Sequence, residues 1–284
     1  MATVPVKPNT LPDIYTKLGA YTGFHTRPAD HLRIFLAAES GMGKTTFAAS
    51  IPNSLILDFE QGADFVTSNT NFRIGIQDME HYTKIKEQLL RDGEQKKRPV
   101  SRIIFDTVDE MVAFYAADIT REKGIEAIEE YGQKGAGWSL LRRRVIHDLD
   151  SFWMAGYSWM VLGHLQETVK TNPHTKRDET VLRTVLSPKM GAAIMRKVDY
   201  LLTIVRYAED KTEMKTSQLK DGRTITQPIH TRRIVHKLMA SQTPELPGKA
   251  RLKLTPLELE LPQKGGWELF KTAYETSAKV AGDV

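Results

Sequence analysis

Ala38-Glu39-Ser40-Gly41-Met42-Gly43-Lys44-Thr45 decides the fold: a small residue, four free positions, then Gly-Lys-Thr. This is the pattern of a phosphate-binding loop, and its chemistry explains the residue types. Gly41 and Gly43 permit a tight curl that turns successive backbone N–H groups inward, toward a polyphosphate. Lys44 sets a point charge against the β- and γ-phosphates, and the Thr45 hydroxyl is a ligand for Mg2+. The helix that follows aims its N-terminal dipole at the same anion. Glu39, Ser40, Gly41, Met42, Gly43, Lys44, Thr45 and Thr46 are the expected nucleotide-binding residues. The context fits: Ile34-Phe35-Leu36-Ala37-Ala38 reads as a buried strand, and Thr46-Phe47-Ala48-Ala49 as a helix that stops near Pro52.

The 284 residues are 40% hydrophobic and 26% charged, which suits one large domain with small additions. No apolar run approaches the ~20 residues that span a membrane. Residues 1–9 lack an apolar signal core, so export is not expected. Cysteine is absent, which excludes disulfides and thiolate metal sites. The net charge of +5 is unevenly placed. Residues 167–197 carry seven Lys/Arg against three Asp/Glu, and residues 215–253 carry nine against two. The rest of the chain is about −6 by subtraction from the overall +5. A basic second half on a mildly acidic body points to a polyanion such as nucleic acid, with solvated basic loops as the alternative.

Apolar runs continue along the chain at residues 54–58, 73–76, 101–105 and 158–163. Helical spacing covers residues 80–91, 109–121 and 138–155. Strands alternating with helices imply right-handed βαβ units and a mostly parallel sheet sandwiched by helices, an α/β fold. Beyond residue 164 the pattern changes. Residues 167–172 and 180–186 read as strands about a turn, and residues 188–198 as a helix. Residues 200–207 and 227–239 read as long strands joined through 211–223, with Asp221-Gly222 as the turn, and residues 252–261 as an edge strand. Antiparallel C-terminal strands are therefore expected. The division is an extended arm at 1–30, a core at 31–265 and a closing helix and tail at 266–284.

A phosphate loop needs a carboxylate at the tip of a neighbouring strand to hold Mg2+. Arg102-Ile103-Ile104-Phe105-Asp106-Thr107 supplies one, so Asp106 joins Thr45 as a metal residue. The residue after Asp106 is Thr107, where many hydrolysing AAA+ enzymes carry Glu. A candidate base lies earlier: Glu60, in Leu57-Asp58-Phe59-Glu60, ends the strand after the loop helix and could take a proton from water.

Leu57-Asp58-Phe59-Glu60 resembles the segment that carries the catalytic glutamate in RecA-like recombinases. Phe105-Asp106-Thr107 resembles their metal-binding strand end, and Met160-Val161-Leu162-Gly163-His164 their next core strand, which ends in a polar sensor of the γ-phosphate. That sensor is usually Gln; His164 stands at the matching position here. Together with Gly137-Trp138-Ser139-Leu140-Leu141, the set is most similar to a bacteriophage group of compact RecA-core ATPases allied with single-strand annealing proteins, over roughly residues 31–255. The resemblance implies a RecA-like P-loop NTPase core, as against a kinase or a typical AAA+ module.

It also implies where partners meet the core. The DNA-binding segment would be the hairpin at 167–188, with Lys170, His174, Lys176, Arg177 and Arg183; no aromatic is interleaved there. Arg142-Arg143-Arg144 is a weaker candidate, since such a run on an amphipathic helix is more often a solvated face. Gly248-Lys249-Ala250-Arg251 resembles the Lys-x-Arg element with which some RecA-like ATPases reach into a neighbour's site, the alternative being surface charge. If Lys249 and Arg251 are such catalytic fingers, hydrolysis requires a ring or filament of identical subunits.

The expectation is an ATP- and Mg2+-dependent ATPase acting on single-stranded DNA in annealing or strand exchange. It would act in phage recombination or replication, in the cytoplasm of a host bacterium, as a homo-oligomer beside a phage or host single-strand-binding protein, and without a membrane. A nucleotide-loaded loader acting through partners is the rival reading, and a small-molecule kinase with the Arg142 run as its lid is a further one.

Overall fold

The computed structural model describes residues 26–62, 71–171, 175–218, 224–240, 243, 246–262 and 266–282, together with Ile14, Lys17 and Leu18. Most of the expected arm, His174 and the Asp221-Gly222 turn lie outside the described residues.

The strands are β1 (Ile34–Ala38), β2 (Ser54–Asp58), β3 (Phe72–Gly75), β4 (Arg102–Asp106), β5 (Ser158–Thr171), β6 (Asp178–Thr184), β7 (Tyr200–Gln218), β8 (Thr224–Met239), β9 (Lys249–Ala250) and β10 (Glu258–Glu260). The helices are α1 (Lys44–Ala49), α2 (Met79–Glu94), α3 (Val108–Lys123), α4 (Ala136–Met154), α5 (Pro188–Lys197) and α6 (Gly266–Gly282). Among the described residues these strands form a 10-stranded sheet in the order β10-β8-β7-β1-β5-β4-β2-β3, with β6 on β5 and β9 on β7. From β7 to β3 every neighbour is parallel. The antiparallel pairs are β5 with β6 and those that β8, β9 and β10 add. The expected α/β architecture with antiparallel C-terminal strands is what forms.

The core has two layers because side chains alternate along each strand. Phe35, Leu57, Phe105 and Val161 face α2, α3, α4 and α5, where Tyr82, Met111, Leu149 and Ile194 meet them. Leu36, Ile56, Ile104 and Leu162 face the other way, onto α1 and α6 through Phe47, Trp267 and Phe270. The closing helix α6 rests on the phosphate-loop helix. The Phe47 and Trp267 rings meet edge-on at 6.4 Å, and the Trp267 backbone N–H donates to Ser50 Oγ.

Three expectations need correction. The strand at 158–163 and the one at 167–172 are a single strand, β5, because β6 continues to pair with it from Leu165 to Thr171. The join expected at 211–223 is mostly strand: β7 runs to Gln218 and pairs with β8 up to Gln218↔Thr224, so cross-strand pairing outweighs the polar composition. The edge strand expected at 252–261 shrinks to Glu258–Glu260, since Pro256 has no N–H to give a ladder.

Candidate nucleotide site

The strands that matter all end at one edge of the sheet. Register places Ala38 beside His164 and Asp58 beside Asp106. The loop after β1, the ends of β2 and β4, and the middle of β5 therefore share one crevice, where open α/β sheets bind ligands.

The loop takes the backbone form that its glycines permit: Gly41 has φ 74° and Gly43 φ 89°, and Gly43 caps the N-terminus of α1. The Lys44 ammonium is buried and folds back, donating to Ala38 O at 3.2 Å and Glu39 O at 3.1 Å. Burial pushes its pKa below the ordinary lysine value, against the pull of Glu60, Asp106 and Asp109.

Asp106 ends the fully buried strand β4 and is itself 3% exposed. Its Oδ2 accepts the Thr45 hydroxyl at 2.8 Å, and its Oδ1 is buried with no hydrogen-bond partner. Desolvation lifts its pKa to about 6; the Thr45 hydrogen bond opposes that, Glu60 and Asp58 add to it, and Lys44 again opposes. An uncompensated carboxylate oxygen beside a threonine hydroxyl fits Mg2+, which takes one or two protein oxygens and completes its shell from phosphate and water. Thr45 and Asp106 are the residues that would hold it, and the ion would neutralise charge developing on the phosphates.

Glu60 sits just past β2, where the Phe59 and Glu60 backbone N–H groups both point at Asp106 O, at 2.7 and 3.4 Å. Its Oε1 accepts the Thr107 hydroxyl at 2.9 Å, so the threonine that replaces glutamate after Asp106 orients the glutamate of the next strand. His164 completes the set. Its Nδ1 is 3.5 Å from Glu60 Oε1 and 3.3 Å from Asp109 Oδ2, and its backbone N–H donates to the same Asp109 oxygen at 2.7 Å. Gly163 precedes it because nothing larger fits: an added Cβ would lie 2.5 Å from Phe35 Cε2. The arrangement can hold a polyphosphate against Lys44, a metal against Thr45 and Asp106, and a water against Glu60, with His164 at the far side of the water.

Asp109 is a site residue that the sequence does not single out. Thr107 is the N-cap of α3, and Asp109 lies in its first turn, aimed across at β5. An Asp in the first turn after a metal-binding strand is too common a pattern to single it out; only the β4–β5 pairing brings it to His164.

The remaining predicted residues lie elsewhere. Lys170, Lys176, Arg177 and Arg183 are all exposed on the β5–β6 hairpin, with Lys170 opposite Glu179 and Arg183 opposite Gln166. Arg144 is tied to Asp118 and Glu122 on α3. Lys249 closes the C-terminal end of α5, donating to Met195 O at 2.7 Å and Val198 O at 2.8 Å. Arg251 Nε pairs with the buried Asp199 at 2.9 Å, and Asp199 also accepts the Arg33 backbone N–H. Arg33 precedes β1, so Arg251 lies a strand's length, roughly 15 Å, from the phosphate loop.

A family model described as an AAA domain matches residues 30–252, which takes in the loop, Glu60, Asp106 and His164. No curated protein matches the chain. The RecA-type refinement expected from Glu60, Thr107 and His164 goes beyond what that description says. Among the described residues no helix is long and apolar enough to cross a membrane. With the match covering most of its length, the chain belongs to the AAA domain family of P-loop ATPases.

Proposed function

We propose that this protein is a Mg2+- and ATP-dependent, RecA-type ATPase that binds single-stranded DNA and promotes its annealing or strand exchange, in phage recombination or replication. The observation that carries this reading is the continuity of β5. One strand bears His164 beside the phosphate loop and runs without a break into the exposed basic hairpin with Lys170. Whatever the hairpin grips is mechanically joined to the residue that faces the γ-phosphate. Lys44 and Thr45 bind phosphate and metal, Asp106 holds the metal, Glu60 takes a proton from water and His164 reads the γ-phosphate. The hairpin's Lys170, Lys176, Arg177 and Arg183 contact the strand's phosphates, giving sequence-tolerant, salt-dependent binding. Arg251, half exposed and out of reach of its own site, would serve a neighbour's in a homo-oligomer.

A loader that hydrolyses slowly is the second reading, favoured by the Thr107–Glu60 hydrogen bond, which restrains the glutamate expected to act as base. Anisotropy of a labelled oligothymidylate, titrated with protein plus ADP or a non-hydrolysable ATP analogue, tests the main reading. Tighter binding in the analogue state, weakened by salt, is expected. Equal affinity in both nucleotide states, or no binding at low salt, would contradict it.

A further inference from the structure

A cavity of about 390 Å³ opens where the start of α4 meets the start of α5. Much of its wall is apolar: the Trp138 indole, Pro188 and the buried Met190. Gly135, Arg142, Ser187 and Lys189 complete the lining. Trp138 keeps 40% of its surface exposed, whereas Trp159 and Trp267 are fully buried and Trp153 lies under Arg27 and Arg33. Arg142 makes one long hydrogen bond, to Ser139 at 3.4 Å, and Lys189 has no partner among the described residues. An open indole face beside two cations that make no ion pair among the described residues, in a slot of this size, has a specific chemistry. It takes a flat aromatic ring that carries a phosphate.

Its place in the fold gives the cavity a consequence. The Val185 backbone N–H, two residues before Ser187, donates to His164 O at 3.1 Å. The α5 wall of the cavity thus hangs from the carbonyl of the residue that faces the phosphate site. We propose that this cavity receives one nucleotide of the bound single strand, its base stacked on Trp138 and its phosphate held by Arg142 and Lys189. The proposal rests on the single-stranded DNA reading and supplies the aromatic platform that the hairpin lacks. A strand gripped here and on the hairpin would bear on His164 from both ends of the 165–187 segment.

The test is anisotropy of a labelled oligothymidylate together with intrinsic tryptophan fluorescence, in the ATP-analogue state. Circular dichroism and the thermal midpoint serve as the check of folding. Trp138→Ala should weaken binding roughly 5- to 150-fold, the range expected for losing one base–aromatic stack, while Trp138→Phe retains most of it. Arg142→Gln with Lys189→Gln should lower the salt slope by about 1.4, two contacts' worth for single strands. Quenching of fluorescence by the oligonucleotide should disappear in Trp138→Phe. If wild type binds DNA while Trp138→Ala binds equally well, the cavity assignment is wrong and the DNA reading stands. If wild type binds no single-stranded DNA, both fall. If free thymidine monophosphate quenches Trp138 as strongly as the oligonucleotide at equal concentration, the site takes a free nucleotide and the assignment to a strand is overturned.

Discussion

Asp109 grips His164 twice: its Oδ2 accepts the His164 backbone N–H at 2.7 Å and lies 3.3 Å from the ring's Nδ1. The two contacts hold the ring beside Glu60, with Nδ1 3.5 Å from its Oε1. Asp109 is a positioning residue. Asp109→Ala should lower kcat about tenfold or more, because a reacting group misplaced by about 1 Å costs on that scale. KM for ATP should change little, since the loop contacts remain. Steady-state kinetics separates the two; a rise in KM with kcat intact would mean that Asp109 serves binding instead.

Asp106 should make both stability and Mg2+ affinity depend on pH. Burial pushes its carboxyl up to about 6, above the ordinary 3.8. The folded state then holds the proton that the unfolded state has released, so stability falls as pH rises from about 4 to about 6. The full loss is about 3 kcal/mol above that window. Asp106→Asn removes the effect. In EDTA, urea unfolding should show the variant more stable than wild type at pH 7, with the difference shrinking toward pH 4. Mg2+-dependent nucleotide affinity of wild type should weaken about tenfold per unit below pH 6. Parallel stability curves for the two proteins would contradict the assignment.

Gly163 is held to its size by the Phe35 ring. Gly163→Ala should cost about 1–3 kcal/mol through overpacking between β1 and β5, and should lower kcat by moving His164. Adding Phe35→Leu makes room and should recover part of the thermal midpoint lost. A single variant as stable as wild type would show that the two strands are not tightly packed there.

Arg251 offers a test in trans. Arg251→Ala and Asp106→Asn should each be nearly inactive alone. Mixing them should recover activity, because an intact arginine from the Asp106→Asn subunit can enter the intact site of the Arg251→Ala subunit. No recovery at any mixing ratio would place Arg251 in a structural role, pairing with Asp199.

Much of the nucleotide site was legible in the sequence because it is built from local patterns. A buried strand, a Gly-rich loop and a helix occur in order at Ile34–Ala38 and Lys44–Ala49, and Asp106 and Glu60 stand at or just past the ends of continuous apolar runs that read as buried strands. What could not be read depends on pairing between distant segments. The Thr107–Glu60 and Asp109–His164 contacts exist only because β4 lies between β2 and β5. The length of β7 was hidden for a similar reason: residues beyond Tyr207 are polar, and only the partner strand β8 makes them a ladder. The position of Arg251 opposite the loop follows from its tie to Asp199, which no spacing announces.

The central claim is that one strand couples the ATP site to a gripped DNA strand. Its most direct test is the ATPase rate with and without single-stranded DNA, for wild type, Lys44→Ala and Glu60→Gln. Stimulation of wild type by DNA, absent in both variants, with Glu60→Gln still binding ATP, is the predicted result. Turnover by wild type at the same rate with and without DNA would contradict it.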